Sequence, residues 1–465
     1  MNILLSTDVY KVGHMEQYPD GINKVYSYLC ARKDFSKTDV DKIVFWGLRY
    51  YLIKYLSQRV TKEHVEEFVD VFSPIVPLQG STIQKLYALS ELGYIPLKIK
   101  AVKEGEKYPL QNVLLTITNT HPKFYWLVNY FESLILKLWY SCSVATRSRQ
   151  YLEMALSFAD MTCSNHDHIP YCVHDFGYRS VSSEESAMLG GAAHLTNFYG
   201  SDNILGEYCL KTFYGMTKAK SVPASEHSVM CSFTPEKEIE AFHRMLDIYP
   251  TGIVSIVSDT YNLWNVLTNF AKQLKNRILS RDGKLVFRPD SGDPYKIILG
   301  DPASSDPAVQ KGSLNLLWEE FGGTTNSKGF KVLNPKVGLI YGDGIHLERY
   351  KQILEGMKQQ GFASSNLVIG VGGLLLQNHS RDDFGFAQKT TYVEISEEPL
   401  VVFKDPITDK KKKSHKGLLC LLKDENGRHY TKDNCTWEEE AGGELNTVFE
   451  DGKLFYENFK QAVLT

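Results

Sequence analysis

Apolar residues recur along this chain with two different spacings. They occupy every second position over residues 95–101, and residues 112–118 repeat the alternation, which is typical of half-buried β-strands. Residues 125–140 are the most apolar stretch, but polar and charged side chains interrupt it. That stretch therefore predicts a core helix rather than a membrane span.

The pattern returns to strands near the end of the chain. Residues 401–403 and 417–422 have the composition of strands, and Asn426-Gly427 is a dipeptide that favours a hairpin turn. Both ends of the chain are therefore predicted to be rich in β-structure.

From about residue 250, short apolar runs alternate with segments of helical spacing. Residues 347–357, for example, carry apolar side chains three or four positions apart, as on one face of a helix. This alternation predicts parallel strands joined by crossover helices. The runs that predict these strands are residues 252–257, 285–287, 337–340 and 367–369.

Each of these runs ends in glycine and polar residues. The carboxyl ends of parallel strands meet at one edge of a sheet, where α/β folds build their active sites. We therefore expect these segments to form a functional site. They are residues 258–259, 288–292, 341–344 and 370–373.

The residues at the strand ends favour binding of a phosphorylated sugar with a metal ion. Glycines let a phosphate approach backbone N–H groups, and arginine side chains match phosphate oxygens with paired donors. Aspartates can accept hydrogen bonds from sugar hydroxyls or hold Mg²⁺ through water. The candidates are Gly342, Gly344, Gly372 and Gly373, then Arg179, Arg288 and Arg381, then Asp259, Asp290 and Asp343.

Two established phosphate motifs are absent from the sequence. No G-x-x-x-x-G-K-[ST] loop occurs, and residues 370–375 break the G-x-G-x-x-G pattern at its last position. A P-loop ATPase and a standard dinucleotide-binding fold are therefore disfavoured. Taken one at a time, each glycine could be a plain turn, each arginine a surface residue and each aspartate a helix cap.

Composition narrows the class of protein further. The 465 residues include 52 Lys and Arg against 55 Asp and Glu, a net charge of −3, which argues against a nucleic-acid binder. Hydrophobic residues make up 43% and charged residues 23%, as in globular proteins of this length. The eight cysteines are scattered without metal-site spacing, and residues 1–8 do not resemble a secretory signal. We expect a soluble, cytoplasmic protein with no membrane partner.

Three strings are specific enough to indicate a family. Residues 174–179 (HDFGYR), 197–202 (NFYGSD) and 221–228 (SVPASEHS) closely resemble the nicotinamide phosphoribosyltransferase family, which belongs to the type II phosphoribosyltransferases. Matching segments follow in the same order from residues 4–11 to residues 403–406, so the resemblance covers nearly the whole chain. One departure is Leu374, where many members carry a third glycine.

The resemblance implies an α/β fold, an irregular barrel with a second, β-rich domain built from both chain ends. The expected boundaries are residues 1–140 together with 385–465 for the β-rich domain, and residues 141–384 for the barrel-like catalytic domain. It also implies a homodimer whose active sites lie at the subunit interface.

The resemblance further implies a pentosyltransferase of NAD biosynthesis and salvage. The 5-phosphoribosyl group of phosphoribosyl pyrophosphate passes to nicotinamide, which gives nicotinamide mononucleotide and pyrophosphate. ATP hydrolysis is coupled to this transfer through a phosphohistidine, and His227 falls at that position. We expect Glu226 to orient His227, and Mg²⁺ to bind through phosphates and water near Asp259 and Asp290.

Roles for single residues follow from the same resemblance. Phe176 would stack on one face of the pyridine ring, and Tyr10 of the other subunit on the opposite face. Arg179 and Arg288 would neutralise the leaving pyrophosphate. The expected phosphate-binding residues are Gly372, Gly373 and Arg381 for the 5′-phosphate, with Arg32 and Lys404 reaching phosphates from the partner chain.

An ionised Asp202 would accept a hydrogen bond from the amide of nicotinamide and repel the carboxylate of nicotinic acid. The alternative for Asp202 is a cap on the helix that begins near Ile204. Three other functions stay open: a nicotinate phosphoribosyltransferase, a non-catalytic signalling protein of the same fold, and a phosphate-binding barrel isomerase.

Overall fold

A computed structural model describes residues 2–34, 40–342, 344–408 and 413–455. This part of the chain divides into two compact units. The described residues of Met1–Thr146 and His379–Thr465 form the first unit, and those of Arg147–Asn378 form the second. Across the described ranges, no helix combines the length and the apolar character needed to cross a bilayer.

The strands are numbered in chain order. They are β1 (Ile22–Cys30), β2 (Lys42–Val44), β3 (Leu97–Ala101), β4 (Lys107–Pro109), β5 (Leu115–Asn119), β6 (Val173–Asp175), β7 (Thr251–Val257), β8 (Asp282–Arg288), β9 (Gly323–Thr325), β10 (Lys331–Leu333), β11 (Val337–Tyr341), β12 (Leu367–Val371), β13 (Ala387–Ile395), β14 (Glu398–Val401), β15 (Leu418–Lys423), β16 (His429–Cys435), β17 (Asn446–Glu450) and β18 (Lys453–Leu454).

The α-helices are numbered in the same way, and short 3₁₀ and π turns flank several of them. They are α1 (Val9–Val12), α2 (His14–Gln17), α3 (Leu48–Tyr51), α4 (Lys62–Phe72), α5 (Gly80–Leu92), α6 (Leu127–Tyr130), α7 (Glu132–Ile135), α8 (Leu138–Thr162), α9 (Glu184–His194), α10 (Ile204–Cys209), α11 (His227–Cys231), α12 (Thr234–Ile248), α13 (Leu263–Asn265), α14 (Ala271–Ser280), α15 (Pro294–Leu299), α16 (Pro307–Phe321), α17 (Leu347–Gln359), α18 (Gly373–Leu376), α19 (Arg381–Phe384) and α20 (Trp437–Ala441).

The first unit is built on an antiparallel sheet. Among its described residues, seven strands pair in the order β14-β13-β1-β5-β3-β17-β18, so three strands from the first part of the chain lie between two pairs of strands from its last part. The two strands predicted before residue 120 are confirmed as β3 and β5. The hairpin of β15 and β16 turns through Gly427, whose φ of 73° is accessible to glycine without strain.

Two element predictions in this unit are wrong in their boundaries. The single helix expected over residues 125–140 is broken into α6, α7 and the start of α8, because Phe131 leaves helical geometry at φ −86° and ψ 7°. The strand expected at residues 401–403 lies earlier, at Glu398–Val401. The chain turns at Ser396 and Glu397, both with positive φ, and therefore pairs with β13 from Glu398 onward.

The second unit is built on a parallel sheet. Among its described residues, five strands pair in the order β6-β12-β11-β8-β7, and every pairing is parallel. The four runs predicted after residue 250 are confirmed as β7, β8, β11 and β12. Residues 347–357 are confirmed as part of α17, which buries Tyr350, Ile353 and Leu354. The fold is therefore the expected α/β type with a β-rich companion unit.

Candidate functional site

A cleft of about 1130 Å³ lies at the carboxyl edge of the parallel sheet. It is built by the segments that follow β6, β8, β11 and β12. The last three follow predicted strands, whereas β6 was not predicted and the segment expected after β7, residues 258–259, does not line this cleft. The structure thus gathers most of the predicted residues of the second unit around one cavity. Those that line it are Phe176, Arg179, Asp202, Arg288, Asp290, Gly342, Gly344, Gly372 and Gly373.

A second, smaller cavity of about 490 Å³ adjoins this cleft. The two cavities share Phe176, Asp202, Ala224 and Arg288 in their walls. Beyond those residues the smaller cavity is lined largely by apolar side chains of the sheet, such as Val286. The junction of the two cavities therefore has an apolar wall beside a charged wall, which suits a flat, uncharged ring.

The Phe176 ring lies between these two cavities on a floor of glycine backbone. A Cβ on Gly342 would come within 3.1 Å of the ring, and one on Gly370 would collide with it. The Arg288 guanidinium carbon lies 5.2 Å from the ring centroid. Gly342 thus makes room for an aromatic side chain, a packing role that the phosphate interpretation of this glycine did not include.

Gly372 and Gly373 have more open surroundings. The nearest neighbour of a Cβ on either residue would be the Ser180 side chain, at 3.4 Å, which is ordinary contact. Their backbone therefore faces the cleft without an aromatic ring against it. Asp343, also predicted at this site, lies outside the described residues.

Asp202 lies where the two cavities meet. Its Oδ1 accepts a hydrogen bond from His174 Nε2 at 2.9 Å and another from the Ser221 hydroxyl. Burial raises the pKa of Asp202, but the hydrogen bonds from His174 and Ser221 and the positive charge of Arg288 together bring that pKa below its ordinary value. The carboxylate is therefore ionised at neutral pH.

The helix after Asp202 is capped by the next residue. Asn203 has an extended backbone, and its Oδ1 accepts a hydrogen bond from the Gly206 N–H at 3.2 Å. The alternative interpretation of Asp202 as a helix cap is therefore wrong, because α10 begins at Ile204 and Asn203 occupies the capping position.

His227 is the first residue of α11, directly after Ser225 and Glu226 in the wall of the cleft. Its Nε2 lies 3.2 Å from Asp259 Oδ1. Glu226 instead accepts a hydrogen bond from the Ser228 hydroxyl. The expectation that Glu226 orients His227 is therefore wrong. The Asp259 carboxylate follows β7 and reaches the imidazole from a neighbouring strand end.

Both carboxylate oxygens of Asp259 already have hydrogen-bond partners within the chain. Its Oδ2 accepts hydrogen bonds from the Asp290 N–H at 2.9 Å and the Ser291 hydroxyl at 2.6 Å, and its side chain is 5% exposed. In the described residues, no group of three or more His, Cys, Asp or Glu side chains converges to bind a metal directly. The donor set suits Mg²⁺ held through phosphates and water beside Asp290, which lines the cleft.

Arg288 ends β8 and turns its side chain toward the cleft. One guanidinium nitrogen lies 3.5 Å from Asp290 Oδ2, whereas its Nε is buried and has no hydrogen-bond partner among the described residues. A buried N–H donor without an acceptor is costly unless a ligand satisfies it. Arg288 therefore suits an anionic ligand such as a phosphate.

The remaining predicted residues belong to the first unit. Tyr10 is 61% exposed on α1. A small cavity of about 210 Å³ brings together Arg32, Arg381 and Lys404, with Glu132 in its wall. The structure thus groups Arg381 with these two cations, whereas Gly372 and Gly373 lie in the second unit.

Lys389 completes this cationic cavity, and the sequence interpretation missed it. Burial lowers the pKa of Lys389, the negative charge of Glu132 opposes this, and the positive charges of Arg32 and Lys404 lower the pKa further. The polar residues around Lys389 in β13 gave no signal that would have singled it out. Crowded cations of this kind are stabilised when a phosphate binds among them.

The fold and the cleft together are those of a type II phosphoribosyltransferase. A family model described as "Nicotinate phosphoribosyltransferase (NAPRTase) family" matches residues 171–453. A second, described as "Nicotinamide phosphoribosyltransferase, N-terminal domain", matches residues 2–78. The chain belongs to the nicotinate phosphoribosyltransferase family.

Curated relatives match over most of their length. A protein of Acinetobacter baylyi named nicotinamide phosphoribosyltransferase is 40% identical, with 98% of this chain and 94% of the relative covered. A protein of Xanthomonas campestris with the same name is 35% identical, with 98% of this chain and 96% of the relative covered.

Solved structures of low sequence identity share the fold. The nicotinate-nucleotide pyrophosphorylase of Pyrococcus furiosus matches with a TM-score of 0.56 at 15% identity, covering 97% of this chain and 91% of that one. Human nicotinic acid phosphoribosyltransferase matches with a TM-score of 0.56 at 16% identity, covering 96% and 90%. At such identities the likeness concerns the fold alone.

Proposed function

We propose that this chain is a nicotinamide phosphoribosyltransferase of NAD biosynthesis. It transfers the 5-phosphoribosyl group of phosphoribosyl pyrophosphate to nicotinamide and releases pyrophosphate. The names of relatives at 35–40% identity support this activity. The observation that carries the choice of base is the ionised Asp202 at the junction of the two cavities, beside the Phe176 ring.

The charge at Asp202 favours an amide over an acid. Asp202 Oδ1 already accepts two hydrogen bonds, and Oδ2 has no partner among the described residues. Oδ2 is therefore available to accept from the NH₂ of nicotinamide. Nicotinic acid would bring a second negative charge to the same oxygen, and like charges in a partly desolvated site cost several kcal/mol.

The chemistry of the transfer matches the cleft. The pyridine nitrogen attacks C1 of the ribose while the bond from C1 to the pyrophosphate oxygen breaks, through an oxocarbenium-like state. The bonding electrons leave with pyrophosphate, so negative charge grows on that group. Arg179 and Arg288 line the cleft, and their positive charges would stabilise the growing negative charge. Bound Mg²⁺ would neutralise further charge on the phosphates.

We propose that ATP hydrolysis is coupled to this transfer through His227. An Nε2–H that donates to Asp259 leaves the lone pair of Nδ1 for attack on the γ-phosphorus of ATP. The bond from that phosphorus to the bridging oxygen breaks, and its electrons leave with ADP. Asp259 also orients the ring and stabilises its positive charge. Water then hydrolyses the phosphoramidate, which returns a neutral imidazole.

We propose a homodimer with shared active sites, in the cytoplasm. Tyr10 is exposed, and the cavity of Arg32, Arg381, Lys389 and Lys404 holds a positive charge that a substrate phosphate from a second copy's cleft would match. Exposed apolar side chains such as Ile204, at 82% exposure, supply surface for such an association. Free buried thiols such as Cys142 and Cys163 suit a reducing compartment.

The experiment is pyrophosphate release from phosphoribosyl pyrophosphate, measured with nicotinamide, with nicotinic acid and with neither base. The proposal expects release that depends on nicotinamide and increases when ATP is added. Release with nicotinic acid alone would favour a nicotinate enzyme, and no release under any condition would favour a non-catalytic protein.

A further inference from the structure

His174 is one of two residues whose side chains form hydrogen bonds to the Asp202 carboxylate. A carboxylate oxygen only accepts hydrogen bonds, so the 2.9 Å contact between His174 Nε2 and Asp202 Oδ1 requires a proton on Nε2. The His174 side chain is 11% exposed, whereas that of Asp202 is 43% exposed. A largely buried donor therefore restrains a carboxylate that faces the cleft.

The imidazole of His174 is itself restrained on two sides. Its ring centroid lies 4.9 Å from that of Phe176, with an angle of 46° between the rings. On the other side it packs on the Gly200 backbone, where a Cβ would come within 2.8 Å of His174 Nδ1. The ring that contacts Phe176 is thus the ring that holds Asp202.

A second contact between the same two segments lies one residue further along each. Asn203 Nδ2 donates to Asp175 Oδ2 at 3.3 Å, and the Asp202 N–H donates to the Asp175 carbonyl at 3.0 Å. Asp175 and Asn203 are buried, at 0% and 1% exposure. The backbone under Asp202 is therefore held independently of His174, and the His174 contact acts on the Asp202 side chain alone.

The Ser221 hydroxyl donates to the same oxygen from a third segment. With both donors on Oδ1, rotating the carboxylate plane away from its present position about the Cβ–Cγ bond would break two charge-assisted hydrogen bonds at once. Oδ2 is thereby kept as the available acceptor. Without these donors, only the positive charge of Arg288 would oppose the effect of burial, which favours the protonated form of the carboxyl.

We propose that His174, assisted by Ser221, is the positioning residue that sets the preference for an amide base over an acid base, by holding Asp202 ionised with Oδ2 toward the base. This inference rests on the proposed function. A protonated or rotated Asp202 presents an O–H donor or a displaced acceptor to the base. Nicotinamide then loses its partner, and where Asp202 is protonated nicotinic acid also loses the charge that repels it.

The experiment compares two variants of similar bulk. His174→Leu removes the donor, whereas His174→Gln keeps an N–H donor at similar reach. The readout is the ratio of kcat/KM for nicotinamide to kcat/KM for nicotinic acid. A hydrogen bond to a charged group supports about a tenfold fall of this ratio in His174→Leu. We expect His174→Gln to stay within about threefold of the wild type, and Ser221→Ala to fall by a few-fold.

His166→Leu is the matched control. His166 Nε2 also lies 2.9 Å from an aspartate Oδ1, that of Asp160, but both side chains are exposed and neither lines a cavity described above. The ratio should be unchanged in this variant. Thermal unfolding of each variant shows whether the protein is folded, and Ser221→Ala tests the same oxygen by removing only a hydroxyl.

A double variant tests whether His174 acts through Asp202. In an Asp202→Asn background, His174→Leu should change the ratio by less than about twofold, because the group it positions is already altered. An unchanged ratio in His174→Leu, an equal loss for both bases, or an equal ratio loss in His174→Leu and His174→Gln would each overturn the proposal. A wild-type enzyme that transfers phosphoribose to neither base, or prefers the acid, would instead overturn the proposed function.

Discussion

At the scale of single residues, the proposed specificity of the cleft rests on two charged side chains. Asp202 presents a negative charge at the junction of the cavities, and Arg288 presents a buried donor without a partner among the described residues. The first suits the amide of a base and the second suits a phosphate. Each role predicts a different kinetic change on substitution.

Asp202→Asn and Asp202→Ser should both lose efficiency with nicotinamide and gain relative activity with nicotinic acid. Removal of a like charge worth several kcal/mol corresponds to a change of about a hundredfold in the ratio of kcat/KM for the two bases. Steady-state kinetics with each base measures that ratio. Because Asn203 supplies the helix cap, thermal stability should change little. If the ratio is the same in these variants as in the wild type, nicotinate phosphoribosyltransferase would be the better assignment.

Arg288→Ala should reduce kcat/KM for transfer by about a hundredfold or more, since charge-assisted contacts to phosphate are lost from the transition state. Initial rates of pyrophosphate release measure the loss. Arg244→Ala, which removes an exposed arginine of α12, is the control and should keep the wild-type value. A wild-type kcat/KM in Arg288→Ala would show that Arg288 does not bind the transferred group.

At the scale of elements, the site depends on short segments that follow strands. The turn after β6 carries Phe176, and the Gly177 N–H donates to Asp175 Oδ1 at 2.7 Å. The segment after β7 carries Asp259, whose carboxylate bonds to His227 and to the Asp290 backbone. Buried or nearly buried carboxylates therefore connect neighbouring strand ends, and each of these connections can be tested.

Asp175 should make the stability of the fold depend on pH. Burial raises the pKa of this carboxyl to about 6, against the hydrogen bonds from Gly177 and Asn203, which lower it. The folded state then binds the proton more tightly than the unfolded state, whose Asp pKa is about 3.9. Stability contributed by the protonated form is therefore present below about pH 4 and lost as pH rises to about 6, by about 2–3 kcal/mol.

Asp175→Asn removes this titration. The melting temperature of the variant minus that of the wild type should be larger at pH 7 than at pH 4.5. Thermal unfolding at the two pH values measures the change, with the exposed Asp20→Asn as the control. A difference from the wild type that is the same at both pH values would contradict the raised pKa of Asp175.

His227→Ala should lose ATP hydrolysis while keeping a weak, ATP-independent transfer, because the phosphoryl acceptor is removed and the base site is intact. After incubation with γ-labelled ATP, the wild type should carry acid-labile, base-stable phosphate. His243→Ala, which removes an exposed histidine bonded to Arg277, should label like the wild type. If His227→Ala is labelled as strongly as the wild type, the phosphohistidine must be another residue.

At the scale of the whole molecule, the parallel sheet and its active edge could be predicted from the sequence. An apolar run that ends in glycine or polar residues is a local signal for a strand of this sheet, and β7, β8, β11 and β12 carry this signal. β6 does not carry it, because its three residues are too few to show a periodic pattern. The placement of chain ends in one sheet followed from a resemblance rather than from any local pattern.

The details of the site depend on contacts between distant segments, which periodicity does not encode. Asp259 rather than Glu226 bonds to His227 because a neighbouring strand end brings it there. Gly342 makes room for Phe176, and Lys389 joins Arg32 and Lys404 across the first unit. In each case the residue type was visible in the sequence, and its partner was not.

The choice of base is tested most directly by competition in one mixture. The enzyme is given phosphoribosyl pyrophosphate, Mg²⁺ and ATP with equal concentrations of nicotinamide and nicotinic acid, and the two mononucleotide products are separated and quantified by mass. We predict nicotinamide mononucleotide in about a hundredfold excess, as expected for a like-charge penalty of several kcal/mol at Asp202. Equal amounts of the two products, or an excess of nicotinic acid mononucleotide, would contradict this account.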